Sequence, residues 1–546
     1  MRYFASCAAE CRLPQRAKSM MVAALGASVA FAPQALRAQE AAPANIASRI
    51  TVVPRVSVTE TITNNVRLSN VNQQSEFITQ ISPGIRISST GGRIRGSLDY
   101  SLSEVLYAKN TTGRQSLNNL SANGTVEAVD NWAFLDFNGN VGQQSISAFG
   151  TPAGNGVLVG GNSTEASVFR LSPYVRGRFG EVADYEARYT LVSSRSSAAA
   201  ASGTDQRDLS VRLNSGRSGY GLSWAVDLGR QTTDYDAGRS TSSSAFNARL
   251  QYALNERWGT YLRVGHEAND FAVANGQSSD FVALGGSWTP NPELIVNLDR
   301  DNRGFTGIGI NWAPSRRASL SVTRDGRIYG ATHSIALAYR TPLTAWTFSD
   351  SRSATSSPVS GSGFQSVSLY ELLVNQFAAT EPDPIKRDQY DAFLQGNGIK
   401  PGLTAVGGFL SSSLALQRSQ QASFALFGSR STLSMVLSRS SSRKLDTLST
   451  AVDDFVTSSV VSQNGFGVNY AYRLTARSSL TLAAARQASS GNNGVASTAS
   501  KSFNVNLSTQ LTRDASATLG ARRVIFDSTT NPYTETAVTG SVQVQF

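Results

Sequence analysis

The stretch that decides the fold is the carboxy-terminal sequence YTETAVTGSVQVQF, from Tyr533 to Phe546. Apolar or small residues alternate with polar ones along it. One face carries Val538, Gly540, Val542, Val544 and Phe546, and the other carries Thr539, Ser541, Gln543 and Gln545. Because successive side chains of a β-strand point to opposite faces, this stretch predicts a strand with one apolar and one polar side. Such a strand can lie between lipid and water.

The same alternation recurs upstream, at 98–102, 248–254, 258–264, 306–312, 335–339, 466–473 and 503–511. Spans of about ten residues with this period are typical of transmembrane barrels. We therefore predict an all-β fold, a large antiparallel transmembrane β-barrel of roughly 20 to 26 strands. Stacked soluble sandwiches would need two thick apolar faces, whereas the second face here is Gly, Ser, Asn, Thr and Arg.

The connections between these segments fall into two kinds. Short ones lie at 255–256, 290–292, 314–316, 341–342, 475–477 and 513–514, and longer Gly/Ser-rich ones lie at 231–243, 268–279, 350–362, 441–463 and 488–501. In bacterial barrels the short turns are periplasmic and the long loops face the exterior. We expect both chain termini on the periplasmic side.

Residues 1–38 have the features of an export signal. Basic residues between positions 12 and 18 precede an apolar run at 20–31, and Leu36-Arg37-Ala38 makes a cleavage site. Translation could begin at Met1, Met20 or Met21. The predicted barrel domain is then 39–546, and it contains no cysteine, since both cysteines lie in the signal.

The net charge of +11 raises the question of a nucleic-acid partner. The arginines are scattered through the alternating segments and form no basic block, so we expect no nucleic-acid binding.

One segment, 364–402, breaks the alternation and predicts a pair of helices. Apolar residues recur there at helical spacing, and Asp383-Pro384 is suited to begin the second helix. The residues concerned are Leu369, Leu372, Leu373, Phe377, Tyr390, Phe393 and Leu394. The parity of the turns places this insertion on the periplasmic side. A plug, a docking element for a partner and a spacer all remain open.

The chain offers little for catalysis. Its only histidines, His266 and His333, are expected near the outer rim and have no nucleophile motif beside them. No metal-ligand spacing, phosphate loop or dinucleotide motif occurs. We expect neither an enzyme nor a cofactor.

The polar face of the strands predicts a charged lumen. The side chains expected there are Arg95, Asp99, Glu186, Arg188, Asp208, Arg212, Arg249, Tyr261, Arg263, Asp299, Arg340 and Arg473. Opposite charges on neighbouring strands can form structural ion pairs, and an excess of arginine would favour anionic solutes. Tyr261 beside Arg263 is also a candidate ring for stacking against a sugar.

The terminal strand resembles the carboxy-terminal signature of bacterial outer-membrane barrels. That resemblance implies that Val542, Val544 and Phe546 are recognised by the barrel-assembly machinery.

Four stretches together resemble one family of outer-membrane barrels. They are VTETITNNV (58–66), ISPGIR (81–86), LDYSL (98–102) with YAKN (107–110), and the insertion from LYELL (369–373) through DPIKR (383–387) to AFL (392–394). The family is that associated with PEP-CTERM/exosortase systems in Gram-negative bacteria. The resemblance implies an outer-membrane location and a role in exopolysaccharide export or assembly.

We therefore expect a passive conduit for exopolysaccharide. Its expected partners are outer-membrane lipid and lipopolysaccharide, the barrel-assembly machinery, polysaccharide and periplasmic export proteins. Two alternatives remain: a general porin for small solutes, and a structural barrel that anchors polymer at the cell surface.

Overall fold

The computed structural model describes residues 50–546 except 90, 110, 112, 152–156, 159–160, 199–202, 217–220, 237–239, 272–275, 356–358, 361–408, 412, 447–452 and 493–495. The predicted signal peptide lies outside the described residues. So does the predicted helical insertion 364–402, with Leu369, Leu372, Leu373, Phe377, Tyr390, Phe393 and Leu394.

The described residues form 26 β-strands and one four-residue helix. The strands are β1 (Ile50–Thr63), β2 (Glu76–Ser89), β3 (Ile94–Tyr107), β4 (Gln115–Val129), β5 (Ala133–Ser145), β6 (Ser163–Phe179), β7 (Ala183–Ser196), β8 (Thr204–Ser215), β9 (Leu222–Tyr235), β10 (Thr241–Ala253), β11 (Trp258–Asn269), β12 (Gln277–Asn291), β13 (Leu294–Asp301), β14 (Thr306–Ser315), β15 (Ala318–Arg327), β16 (Gly330–Arg340), β17 (Thr344–Thr355), β18 (Val359–Ser360), β19 (Phe409–Leu410), β20 (Ala415–Phe427), β21 (Ser431–Lys444), β22 (Val460–Arg473), β23 (Ser478–Gly491), β24 (Ser497–Gln510), β25 (Ala515–Ser528) and β26 (Tyr533–Gln545). The helix is α1 (Asp454–Thr457). No described helix has the length and apolar character needed to cross a membrane.

Twenty-four of these strands close into one antiparallel ring. Each pairs with its neighbour in sequence, β17 pairs with β20, and β26 pairs with β1 from Arg55↔Gln545 to Thr63↔Ala537. The remaining two, β18 and β19, have two residues each. The prediction of an all-β, large antiparallel barrel is confirmed.

The outer wall carries an apolar belt. Val538 and Val542 of β26 are 48% and 46% exposed, and aromatic pairs such as Trp258 with Trp288 and Trp346 with Phe424 lie on the same outward face nearer the short turns. A closed ring satisfies its backbone hydrogen bonds internally, and such a belt with aromatic edges matches the bilayer. The chain is therefore an outer-membrane protein, as expected.

The two ends of the barrel differ in their connections. Residues 254–257 and 341–343 are short turns at the end where β1 begins and β26 finishes. Residues 64–75 and 146–162 are long connections at the opposite end. The alternation of short and long connections predicted from the sequence is thus confirmed. We call the long-loop end, which faces the exterior, the outer mouth.

The 24 strands of the ring lie within the expected range of roughly 20 to 26. One detail of the sequence prediction is wrong. β17 ends and β20 begins at the outer mouth, so the connection between them starts and finishes there and not on the periplasmic side where the insertion was expected. β18 and β19, which lie within this connection, have two residues each and are too short to cross a bilayer.

Candidate functional site: the lumen and its outer mouth

The alternation along each strand places the twelve predicted lumen residues on the face opposite to the lipid-exposed side chains. For example, Leu209 and Leu262 are exposed on the outer wall, and Asp208 and Arg263 neighbour them on the inner side. What these residues do for a passing solute stays a prediction. Their contacts show how the wall is held together.

Asp99 joins the first three strands. It accepts hydrogen bonds from Arg55 of β1 and from Arg86 of β2, with an Arg86–Asp99 distance of 2.9 Å. Arg95 lies on the same face of β3, four residues before it. One carboxylate thus pairs with two arginines on the two preceding strands.

Arg188 makes a similar junction in β5–β7. Its guanidinium lies 2.7 Å from Asp136 and 3.4 Å from Glu186, and it stacks over the ring of Tyr174 at 3.9 Å. Both predicted residues of β7, Glu186 and Arg188, therefore belong to one network.

The two predicted residues of β8, Arg212 and Asp208, make simpler contacts. Arg212 of β8 pairs with Asp227 of β9 at 2.9 Å, and Asp208 accepts a hydrogen bond of 2.7 Å from Gln206. Arg212 and Asp227 line a lumen cavity of about 430 Å³ that also reaches Arg263.

The densest network surrounds Tyr261. Its hydroxyl donates to Asp299 at 3.0 Å, and Arg263 bridges Asp299 and Asp325, each at 2.8 Å. Arg249 lies over the Tyr261 ring at 3.7 Å. These contacts connect β10 to β15 through four charged groups and one phenol.

This arrangement rules out the sugar-stacking role considered for Tyr261. The residue is only 2% exposed, because one face of its ring is under Arg249 and the ring lies against Gly285 of β12, where a Cβ would clash with it. A sugar could reach the ring only after this packing was broken. The glycine at the facing position is what allows a tyrosine to lie flat on the wall.

Two predicted arginines lie at the periplasmic end. Arg340 is paired in register with Ala345, and Arg473 donates to the carbonyl of Ser429 at 2.7 Å. They are apart from the networks described above.

A second site, which the sequence did not single out, closes part of the outer mouth. We call it the mouth closure: residues 146–151 after β5, residues 409–411, 413 and 414 around β19, and residues 453–458 around α1. Asp454 of α1 accepts hydrogen bonds from the Ser147 hydroxyl and from the Ala148 backbone N–H, both at 2.7 Å. Asp453 caps α1 by accepting from the Phe455 N–H, and it also accepts from the Ser411 hydroxyl at 3.0 Å.

An apolar cluster supports these hydrogen bonds. Phe409 and Phe455 pack with ring centroids 6.0 Å apart, and Ala148 and Phe149 pack against them. Phe409 is 1% exposed and also pairs with Ser145 at the end of β5. Burying these rings away from water stabilises the closure.

The far end of the same β5–β6 connection is held on another part of the rim. The Tyr107 hydroxyl donates to the Val157 carbonyl at 2.8 Å, Val157 packs against Val66 and Val105, and Leu158 packs against Phe526. One connection thus contacts β3, β25 and, through Asp454, the β21–β22 connection.

These contacts cannot be made along the wall. In the shorter direction round the ring, β1 to β4 and β23 to β26 all lie between β5 and β22. Ser147 and Asp454 therefore meet across the lumen. The closure is a bridge between opposite sides of the barrel at its outer mouth.

The stability of this bridge depends on the protonation state of Asp454. Burial raises the pKa of the Asp454 carboxyl, and the neighbouring Asp453 adds to the effect, although the Ser147 and Ala148 hydrogen bonds act in the opposite direction. The net shift is upward, so the buried carboxyl holds its proton more tightly than an exposed aspartate does.

Both histidines lie on the outer wall near the outer mouth, as expected. His266 Nδ1 is 2.7 Å from Asp280, and His333 Nε2 is 3.0 Å from Asp350. Each histidine is thus paired with a carboxylate. No group of three or more potential metal ligands occurs in the part of the chain that the structure describes.

No family model matches the sequence, and neither does any curated protein. Among solved structures, the chain is similar to the FrpB iron transporter from Neisseria meningitidis (F3-3 variant), with a TM-score of 0.43, 9% identity and coverage of 90% of this chain and 81% of that one. It is similar to BauA, the ferric preacinetobactin receptor from Acinetobacter baumannii (TM-score 0.41, 11% identity, 90% and 80% coverage). It is also similar to the siderophore receptor PirA from Pseudomonas aeruginosa (TM-score 0.38, 9% identity, 91% and 80% coverage).

Proposed function

We propose that the protein is an outer-membrane conduit for exopolysaccharide that is closed at its outer mouth until it is gated. The observation that carries the gating is the contact of Asp454 with Ser147 and Ala148 across the lumen. A permanently open pore would have no use for a buried, hydrogen-bonded bridge between opposite walls. A conduit that opens only for its cargo needs one.

The character of the lumen supports a hydroxyl-rich cargo. The inward arginines near Asp99, Asp136 and Asp299 are engaged by carboxylates on neighbouring strands, so the wall presents paired charges among Ser, Thr and Asn. Paired charges hold the wall in shape and leave donors and acceptors for exchange with sugar hydroxyls. The likeness of the sequence to the exopolysaccharide-associated barrel family points to the same cargo class.

The conduit is passive in this proposal. The sequence carries no nucleotide-binding motif, so synthesis and export partners in the inner membrane and periplasm would supply the energy. The protein would contribute the path and the closure.

Deletion of the gene, followed by complementation, tests the cargo. We expect the deletion strain to lose extracellular polysaccharide while polymer accumulates in the periplasm, and the wild-type gene to restore export. Secreted polymer that is unchanged in amount but no longer attached to cells would instead support the anchoring barrel.

Planar-bilayer recordings separate the conduit from a porin. We expect the purified wild-type barrel to be closed for most of the time, with rare openings of large conductance. A steadily open channel that passes small solutes would contradict the gated conduit and support a general porin.

A further inference from the structure

The outer wall carries a group of arginines that the transport path does not use. We call it the outer arginine cluster: Arg352 of β17, Arg418 of β20, and Arg439 and Arg443 of β21. The registers Arg352↔Arg418, Gln420↔Arg439 and Leu416↔Arg443 bring these positions side by side on three adjacent strands.

The alternation of the strands points these arginines away from the lumen. Arg352 shares its face of β17 with the exposed Trp346 and Phe348, and Arg439 shares its face of β21 with Leu437, which is 55% exposed on the apolar belt. The opposite face of β21 carries buried serines such as Ser440. The cluster is therefore on the lipid-facing wall.

The position of the cluster along the barrel axis follows from its distance to the apolar belt. Arg439 lies two residues beyond Leu437 toward the outer mouth, which is about 7 Å at the rise of a strand. The other three arginines lie at the same level or further out. This is where the apolar belt gives way to the headgroup layer of the outer leaflet.

The cluster has an excess of positive charge. Asp350 is paired with Arg418 at 2.6 Å and with His333 at 3.0 Å. Among the described residues, Arg352, Arg439 and Arg443 form no ion pair. Within the described ranges, three guanidinium groups are thus left without a carboxylate.

The charges surround a formed cleft. A recess of about 340 Å³ is lined by the four arginines together with Gln420 and Ser441, and Leu416 and Val460 add apolar surface to it. Guanidinium groups bind phosphate oxygens in a bidentate fashion, and amide and hydroxyl groups supply further donors. The recess thus combines phosphate donors with a surface for the start of an acyl chain.

Two other outward arginines, Arg195 of β7 and Arg207 of β8, are neutralised by carboxylates. On β7–β9, Arg195 pairs with Asp205 at 2.8 Å and Arg207 pairs with Asp234 at 3.1 Å. The outward arginines therefore differ in whether a carboxylate is paired with them. The two pairs provide a matched control for the cluster.

We propose that the outer arginine cluster binds the phosphate groups of a phosphorylated lipid of the outer leaflet, of the lipopolysaccharide class. The lipid headgroup would lie in the cleft with its phosphates on Arg352, Arg439 and Arg443. Its acyl chains would follow the apolar belt below Leu437.

Native mass spectrometry of the full-length barrel in detergent tests this site. The probes are bisphosphorylated lipid A, the same lipid A without phosphates, and inorganic phosphate. We expect bisphosphorylated lipid A to bind at least about tenfold more tightly than the dephosphorylated form. The double variant Arg439→Ala/Arg443→Ala should lose this preference, and Arg195→Ala/Arg207→Ala should keep it.

Equal binding of the two lipids to the wild-type protein would overturn the proposal. So would an equal loss of preference in the control variant, or complete displacement of the lipid by millimolar inorganic phosphate, which would show a site for the free anion. Circular dichroism and heat-modifiable migration verify that each variant is folded. If the double variant does not fold, Arg352→Ala is measured instead, and an unchanged lipid preference in that variant contradicts the site.

Discussion

Asp454→Ala should open the outer mouth. In the closed form the carboxylate accepts two hydrogen bonds at 2.7 Å, from Ser147 and from the Ala148 backbone, and both donors would lose their partner in the variant. A hydrogen bond to a charged group contributes about 1.5–3 kcal/mol. The upward shift of the Asp454 pKa shows that burying the charge offsets part of this gain.

The net effect on the closure is then about 2 kcal/mol, which raises the ratio of open to closed channels roughly 30-fold. Single-channel recording in planar bilayers measures this ratio directly as the fraction of time that the channel is open. Asp454→Asn keeps the shape and one acceptor oxygen and removes the buried charge, so its open fraction should stay close to that of the wild-type protein. Ser147→Ala removes only one of the two hydrogen bonds to Asp454 and should raise the ratio only about fivefold.

Asp514→Ala is the matched control. Asp514 lies in the short turn between β24 and β25 at the periplasmic end, and its side chain makes no hydrogen bond or ion pair with the described residues. The open fraction of the Asp514→Ala channel should equal that of the wild-type protein. A folded Asp454→Ala barrel with wild-type gating would refute the reasoning, because the bridge would then not be what keeps the channel closed.

Four further outcomes are expected. Because the Asp454 pKa is raised in the closed form, protonation of this carboxyl favours closure. The open fraction should therefore rise as the pH increases through the range just above 3.8. Asp454→Asn should abolish this pH dependence. In urea titrations, Arg263→Ala should lower the free energy of unfolding by about 2 kcal/mol, because it leaves a carboxylate unpaired. The double variant Arg263→Ala/Asp299→Ala should lose less than the sum of the two single variants, because that carboxylate is then absent. The double variant His266→Ala/His333→Ala should retain wild-type conductance and polymer export, and a dead variant would indicate catalysis. The open channel should prefer anions in a KCl gradient, and a cation-selective reversal potential would contradict that preference.

The wall of the barrel could be predicted from the sequence because each strand shows its own pattern. The alternation from Val538 to Phe546 appears in the structure as β26, with Val538 and Val542 exposed on the outer face. The period of two is a local property and needs no knowledge of the partner strand. The inward direction of the charged residues followed from the same rule.

The strand number was harder to predict, because short alternating segments look alike whether or not they cross the bilayer. The two-residue strands β18 and β19 do not cross the bilayer, so the connection that contains them begins and ends at the outer mouth. Length, not pattern, distinguishes a crossing strand from a rim contact.

The mouth closure could not be predicted from the sequence at all. Ser147 and Asp454 are 307 positions apart, and neither belongs to a motif. The burial of Tyr261 was hidden for a similar reason, because it depends on Arg249 and Gly285 from two other strands. Contacts that depend on how distant segments meet leave no local pattern.

The pairing of β1 with β26 also has a consequence for how the barrel forms. Apart from β17 with β20, every other pair in the ring joins strands that follow one another directly in the chain, whereas the seam joins Arg55 to Gln545. Closing so large a loop is entropically costly and slow compared with forming local hairpins. The hairpins can therefore assemble in order while two unpaired edges remain, and the ring is completed only when the last strand has arrived. A chain truncated before Tyr533 would keep both edges open, and exposed edges of this kind aggregate.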